Sequence, residues 1–269
     1  HPPDPPMTQL LYEPFEDASY ADWFTDTWEQ GTHDAQTTGD ARTGSGSLRV
    51  DIDQGNHYGM QTTVDPKVGG LTAENVPTLY GSFWVKFSAG FDTDSNGGKL
   101  PGPRQREPEH LAGEPADGTN GWSASGKFGA ADNGEIQLGY YCYHMDMAGN
   151  YGDHIHAGTI PRDEWHHIEQ QVTLNTVTDG SANADGVLAM WIDGEQTLDR
   201  TDMRWTTENR DLGCNFDMRV YYGGSDPSPA DNTIWFDDWV LATERVGHPG
   251  PSADVHVESF DTLTVESAL

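Results

Sequence analysis

The chain is poor in lysine and cysteine and has no long apolar run. Of its 269 residues only four are lysines (Lys67, Lys86, Lys99 and Lys127) and two are cysteines (Cys142 and Cys214). Fourteen Lys+Arg face 44 Asp+Glu, a formal net charge of −30. That balance argues against nucleic acid as a partner, because such binding depends on Lys and Arg neutralising phosphates. No stretch approaches the roughly 18 apolar residues of a membrane-spanning helix, so no membrane partner is expected. Two cysteines permit a single disulfide, Cys142 to Cys214, of the kind an exported protein keeps; two buried free thiols are the alternative. Text with helical periodicity is almost absent, and no internal repeat is visible. An α/β fold and a propeller are therefore disfavoured.

Nine tryptophans spread through alternating apolar segments indicate a packed core despite the charge. The acidity is mostly aspartate, 29 Asp to 15 Glu. Short, strongly hydrated carboxylates with little lysine suit a protein working in concentrated salt. There the Debye length falls to about 3 Å at 1 M and self-repulsion is screened. The opening His1-Pro2-Pro3-Asp4-Pro5-Pro6 reads as a processed end, and a secreted, extracellular protein is expected. Residues 1–8 form a proline-rich leader and 9–246 one domain. Residues 247–269 are a linker, signalled by Gly247-His248-Pro249-Gly250, followed by a last strand or tail.

The dominant period is two. Segments 47–53, 57–64, 79–88, 122–130, 135–145, 166–174, 186–193, 214–222 and 233–243 read as strands between Gly, Asp, Asn and Pro clusters. Asp193-Gly194 marks a hairpin with 196–198 returning. Many strands without interleaved helices predict an all-β jelly-roll sandwich of two antiparallel sheets, concanavalin A-like.

Parity assigns the faces. Along 135–145, Ile136, Leu138, Tyr140 and Cys142 point to the core, leaving Gln137, Tyr141 and Tyr143 open. Ser123, Ser125 and Lys127 share a face, as do His57 and Gln61, and Asp217, Arg219 and Tyr221. Polar, aromatic and cationic side chains on one sheet face describe a cleft for a sugar polymer. His57, Gln61, Lys127, Arg219 and Tyr221 are its expected substrate contacts.

The sharpest motif is Gly97-Gly98-Lys99-Leu100-Pro101-Gly102, which holds one of the scarce lysines between glycines. After it come Asn120-Gly121-Trp122-Ser123-Ala124, Tyr141-Cys142-Tyr143-His144, Gly149-Asn150-Tyr151-Gly152-Asp153, Trp165-His166-His167-Ile168 and Trp191-Ile192-Asp193-Gly194. In this order, over roughly residues 80–243, the chain resembles the jelly-roll polysaccharide lyases of families 14 and 20, the alginate and glucuronan lyases. The resemblance implies β-elimination of an acidic polysaccharide, with Lys99, Tyr141, Tyr143 and Ser123 as the catalytic set. Losing the C5 proton of a uronate builds negative charge on its carboxylate. The site must neutralise that carboxylate, abstract the proton and protonate the O4 leaving group. A lysine base would need its pKa lowered by burial or a neighbouring cation.

One departure is visible. Alginate lyases of this group tend to read Ser-Ala-Arg where this chain reads Ser123-Ala124-Ser125. Lys127 or Arg219 would then take over carboxylate neutralisation. The segment Pro103-Arg104-Gln105-Arg106-Glu107 reads as an inserted loop, lining the cleft or solvated.

No cofactor is expected for catalysis. Asp237-Asp238, with Glu13, Glu16 and Asp17 near the start, could pair the chain ends around a structural calcium, with Glu16 and Asp237 as ligands. His154-Ile155-His156 reads as surface histidines, since no third metal ligand accompanies them. A glucanase-type hydrolase is disfavoured because no paired Glu run exists. A non-catalytic carbohydrate-binding module on the same fold is the rival reading. A monomer is expected.

Overall fold

The computed structural model describes residues 9–25, 36–64, 77–93, 97–105, 108–208 and 214–248. The expected leader and the segment from 249 onward lie outside them. Strands in chain order are β1 (Gln9–Glu13), β2 (Phe24–Thr25), β3 (Gln36–Thr38), β4 (Ser47–Ile52), β5 (Tyr58–Val64), β6 (Thr78–Phe87), β7 (Gly98–Leu100), β8 (Gly102–Gln105) and β9 (Ser123–Ala130). They continue as β10 (Ile136–Tyr143), β11 (Asp153–Ile160), β12 (His166–Thr173), β13 (Val177–Thr178), β14 (Ser181–Ala182), β15 (Gly186–Ile192), β16 (Glu195–Met203), β17 (Cys214–Tyr222) and β18 (Asn232–Ala242).

Two eight-stranded sheets face each other. One runs β16-β15-β12-β6-β18-β4-β3, with β1 also on β18. The other runs β11-β10-β9-β7-β17-β5-β2, with β8 continuing the line of β7 between β9 and β17. The pairings within both sheets are antiparallel, giving the expected jelly-roll sandwich. Among the described residues the one helical element is a 3-10 turn, Ala18–Trp23. No helix there is long and apolar enough to cross a membrane.

The sequence alternation becomes the core. Ile136, Leu138, Tyr140 and Cys142 of β10 are fully buried, facing Leu188, Met190 and Ile168 of the opposite sheet across one hydrophobic cluster. Tyr140 donates from its hydroxyl to the Ala189 carbonyl, 2.8 Å away across the sandwich. Trp122 and Trp205 meet with ring centroids 4.9 Å apart. Each aromatic side chain so buried contributes about 1.5–3 kcal/mol. The Asp193-Gly194 hairpin forms with both residues at positive φ. The return strand β16 is much longer than the three residues expected from sequence, because its polar text (Glu195, Asp199, Arg200, Asp202) hides its alternation. Such charges suit a sheet edge, where they deter pairing with other chains.

Cys142 is a free, buried thiol, so the expected disulfide to Cys214 is not made. The topology gives the reason. From β10 to β17 the path crosses β9 and β8, three strand spacings of about 4.8 Å. A disulfide tolerates a Cα separation of no more than about 7 Å.

Candidate active site

Sequence and packing together fix Lys99. Gly97 sits at φ 64°, and a Cβ there would lie 1.9 Å from the Phe128 carbonyl oxygen. A Cβ on Gly98 would lie 2.2 Å from the Phe128 ring and 2.5 Å from the Tyr221 carbonyl oxygen. Only glycines let β7 lie between β9 and β17. Pro101 then interrupts the strand, and its carbonyl accepts a hydrogen bond from Gln170 Nε2 of the opposite sheet at 2.9 Å. Lys99 is left on the outer face, in register with Tyr221 on one side and Lys127 on the other.

The Lys99 ammonium nitrogen lies 3.5 Å from the centroid of the Tyr141 ring. Burial, and secondarily the charge of Lys127, lower the Lys99 pKa from 10.5 to about 7. Tyr141 shifts the other way. Burial and its hydrogen bond to Tyr143 hold its phenol protonated well above the usual range. The Tyr143 hydroxyl accepts from the Gly113 amide at 3.3 Å, and the Tyr143 ring packs on His110 at 4.5 Å. The site thus places an amine that can be neutral near pH 7 against a phenol that keeps its proton.

Beside this pair lies an ion network. Asp217, almost fully buried, takes Arg219 at 2.7 Å and Arg104 at 3.0 Å. Glu109, half exposed, pairs with Arg104 and approaches Arg219 at 3.8 Å. Lys99, Tyr141, Tyr143, Arg104, Arg219 and Glu109 line one open cleft.

The cleft brings together Lys99, Ser123, Tyr141, Tyr143, Arg219 and Tyr221 as the sequence reading expected. Three expected contacts are not in its lining. His57 Nδ1 lies 3.1 Å from the Tyr222 carbonyl oxygen. Gln61 pairs in register with Arg219 on the next strand out. Lys127 places its ammonium 2.7 Å from His154 Nδ1 on β11. The structure adds Arg104, Glu109 and His110. Arg104 belongs to the segment read as an inserted loop, which is in fact strand β8 as far as Gln105. Glu109 and His110 carry no periodic signal, because they arrive on the loop that follows.

Glu16 and Asp237 do not fit a calcium site. Asp237 accepts from the amides of Arg42 (2.7 Å), Thr43 (3.1 Å) and Asp238 (2.8 Å). Burial and the neighbouring Asp238 push its carboxyl up to about 7. Glu16 accepts from the Ser45 amide and hydroxyl, at 3.0 and 2.6 Å. N–H and O–H donors already bond each of these carboxylates. Among the described residues no group of three His, Cys, Asp or Glu could hold a metal ion.

Several solved structures share this architecture. The alginate lyase Aly36B, in a complex with alginate trisaccharide, is 25% identical with a TM-score of 0.63, covering 87% of this chain and 98% of that one. The marine PL-14 alginate lyase of Aplysia kurodai is 18% identical with a TM-score of 0.66, covering 87% and 98%. The endo-β-1,4-glucuronan lyase of the fungus Trichoderma reesei is 10% identical with a TM-score of 0.60, covering 90% and 98%. A search of the curated proteins gives no match. The family model for polysaccharide lyase 14 matches residues 42–239, a span that contains the whole cleft. The chain belongs to the polysaccharide lyase 14 family.

Proposed function

We propose that the protein cleaves a uronate-containing polysaccharide by β-elimination, with Lys99 as base and Tyr141 as acid. The observation that carries this reading is the Lys99–Tyr141 contact. The amine whose burial frees it of its proton near neutrality lies 3.5 Å from the ring of a phenol that retains its own. Neutral Lys99 takes the C5 proton, electron density moves onto the C6 carboxylate, and the C4–O4 bond breaks as Tyr141 protonates the leaving oxygen. Arg219 and Arg104 supply positive charge for the carboxylate, with Glu109 occupying their outer side until substrate displaces it.

Base and acid converge from the same sheet face, which suits removal of a proton and a leaving group on the same side of the ring. That relation holds in D-mannuronate and D-glucuronate and is reversed in L-guluronate. Support comes from Aly36B, which was solved with alginate tetrasaccharide in a variant where one lysine and one tyrosine are alanine. The charge of −30, carried mainly by aspartate, supports extracellular action in concentrated salt, where repulsion of a polyanionic substrate is screened.

The test is the ultraviolet absorbance of the unsaturated uronate product during incubation with polymannuronate, glucuronan and polyguluronate, at low and molar salt. Turnover of the first two, its loss in dilute buffer and its abolition in a folded Lys99→Ala variant are expected. A Lys99→Ala enzyme at near-wild-type rate would remove Lys99 from the mechanism.

A further inference from the structure

We propose that Lys127, steadied by His154, is a positioning residue for the Lys99 amine and is not the ligand of the substrate carboxylate. The inference rests on the lyase reading above and assigns a task to two residues outside the cleft lining. The register places Lys127 directly opposite Lys99 on the adjacent strand, on the same outer face. Such cross-strand neighbours have Cβ atoms about 5 Å apart, and like charges there repel. A chain with four lysines therefore sets two of them side by side.

His154 explains how the second lysine keeps its place. An ammonium has three donors and no acceptor, so at 2.7 Å the His154 Nδ1 must be the acceptor and carry no proton. Burial and the charge of Lys127 favour that neutral form of His154, with Lys99 when protonated and His156 on the same strand adding to the effect and Asp153 opposing it. The Tyr141 ring also meets His154, edge-on at 5.2 Å, which ties the pair to the catalytic phenol. Among the described residues, the titratable and charged groups around Lys99 are Lys127 from β9, Tyr141 and Tyr143 from β10, Tyr221 and Arg219 from β17, Arg104 from β8, and Glu109 and His110 from the loop that follows. Asp217 and Glu109, the carboxylates of the adjoining ion network, are engaged by Arg104 and Arg219. The Tyr141 ring contacts both Lys99 and His154, so His154 meets the phenol while Lys127 neighbours the base directly.

A positioning role and a substrate-binding role separate in the pH profile. A neighbouring charge moves a pKa by about 1–3 units, so Lys127→Met should move the acidic limb of kcat/KM upward by about one unit or more. The loss would be largest near about pH 6 and shrink on the alkaline side, with KM little changed there. Lys127→Arg should restore the wild-type limb, and His154→Ala should give a smaller shift in the same direction. Titration of 13Cε-lysine resonances in the substrate-free protein reads the same quantity directly. It would show Lys99 protonating at higher pH in Lys127→Met, whether or not any polymer is cleaved.

A Lys127→Met variant with an unmoved Lys99 titration overturns the proposal. So does one that loses activity equally at all pH values through KM. Wild-type protein inert on every polyuronate, with the Lys99 titration shifting as expected, would instead defeat the lyase reading while leaving this coupling intact.

Discussion

Replacing Asp217 by Asn tests whether the ion network is structural as well as chemical. Asp217 is about 3% exposed and holds two guanidiniums, Arg219 at 2.7 Å and Arg104 at 3.0 Å. The Arg104 side chain is 11% exposed, so water replaces little of what is lost. Removing one partner from a buried ion pair costs about 3–5 kcal/mol when the remaining charge is left uncompensated. Glu109, which still pairs with Arg104, holds the cost to the lower part of that range. The Asn oxygen recovers one hydrogen bond, about 1 kcal/mol, leaving a loss of about 2–3 kcal/mol. For a domain of this size that is a fall in Tm of very roughly 4–12 °C at about 2–4 °C per kcal/mol. The control is Asp202→Asn, which removes the exposed pair to Arg200. An exposed pair contributes at most about 1 kcal/mol and is screened in molar salt, whereas the Asp217 effect should persist there. Urea and thermal unfolding of both variants, at low and high salt, give the comparison. Equal losses from the two, or an Asp217 effect erased by salt, would refute the reasoning.

Further outcomes follow from the same geometry. Lys99 titrates at about 7 in the folded protein, far below its unfolded value. Between these pH values the unfolded chain binds the extra proton, so this group's contribution to stability rises with pH, by about 1.4 kcal/mol per unit. Lys99→Met should therefore stabilise the protein more near about pH 6 than near about pH 10 in urea melts; a gain independent of pH would contradict the assigned burial. Gly98→Ala, whose Cβ would meet the Phe128 ring at 2.2 Å, should cost about 2 kcal/mol or more and depress turnover by displacing β7. Glu109→Gln should lower KM a few-fold, because the outer side of the two arginines is then less contested; a raised KM would make Glu109 a substrate ligand. Cys142 should resist thiol reagents in the native protein, and dithiothreitol should leave stability unchanged.

What the sequence made legible was set by local rules. Period-two alternation gave β10 and β17 with the correct inward residues, since burial on one face leaves no alternative register. The glycines around Lys99 made that motif stand out in the sequence, and in the structure they are what lets β7 lie between β9 and β17. What stayed hidden depends on long-range partners. Strand β8 carries Pro103 and Arg104, which read as a loop until β9 and β17 pair with it. Strand β11, Asp153–Ile160, has polar text suited to a sheet edge and was not expected, although His154 and His156 on it are exposed, as the sequence reading has them. Parity put Lys127 on the right face but could not show that His154 meets its ammonium.

The bond from Gln170 to the Pro101 carbonyl has a consequence for anyone transplanting this site. Gln170 belongs to β12 in the far sheet, almost fully enclosed, and its one acceptor is the carbonyl two residues after Lys99. The strand that carries Lys99 is thereby registered from behind, through the thickness of the sandwich. Grafting the visible cleft residues onto another jelly roll would copy the instrument's face without its mounting. A design that succeeds would have to carry the glutamine as well.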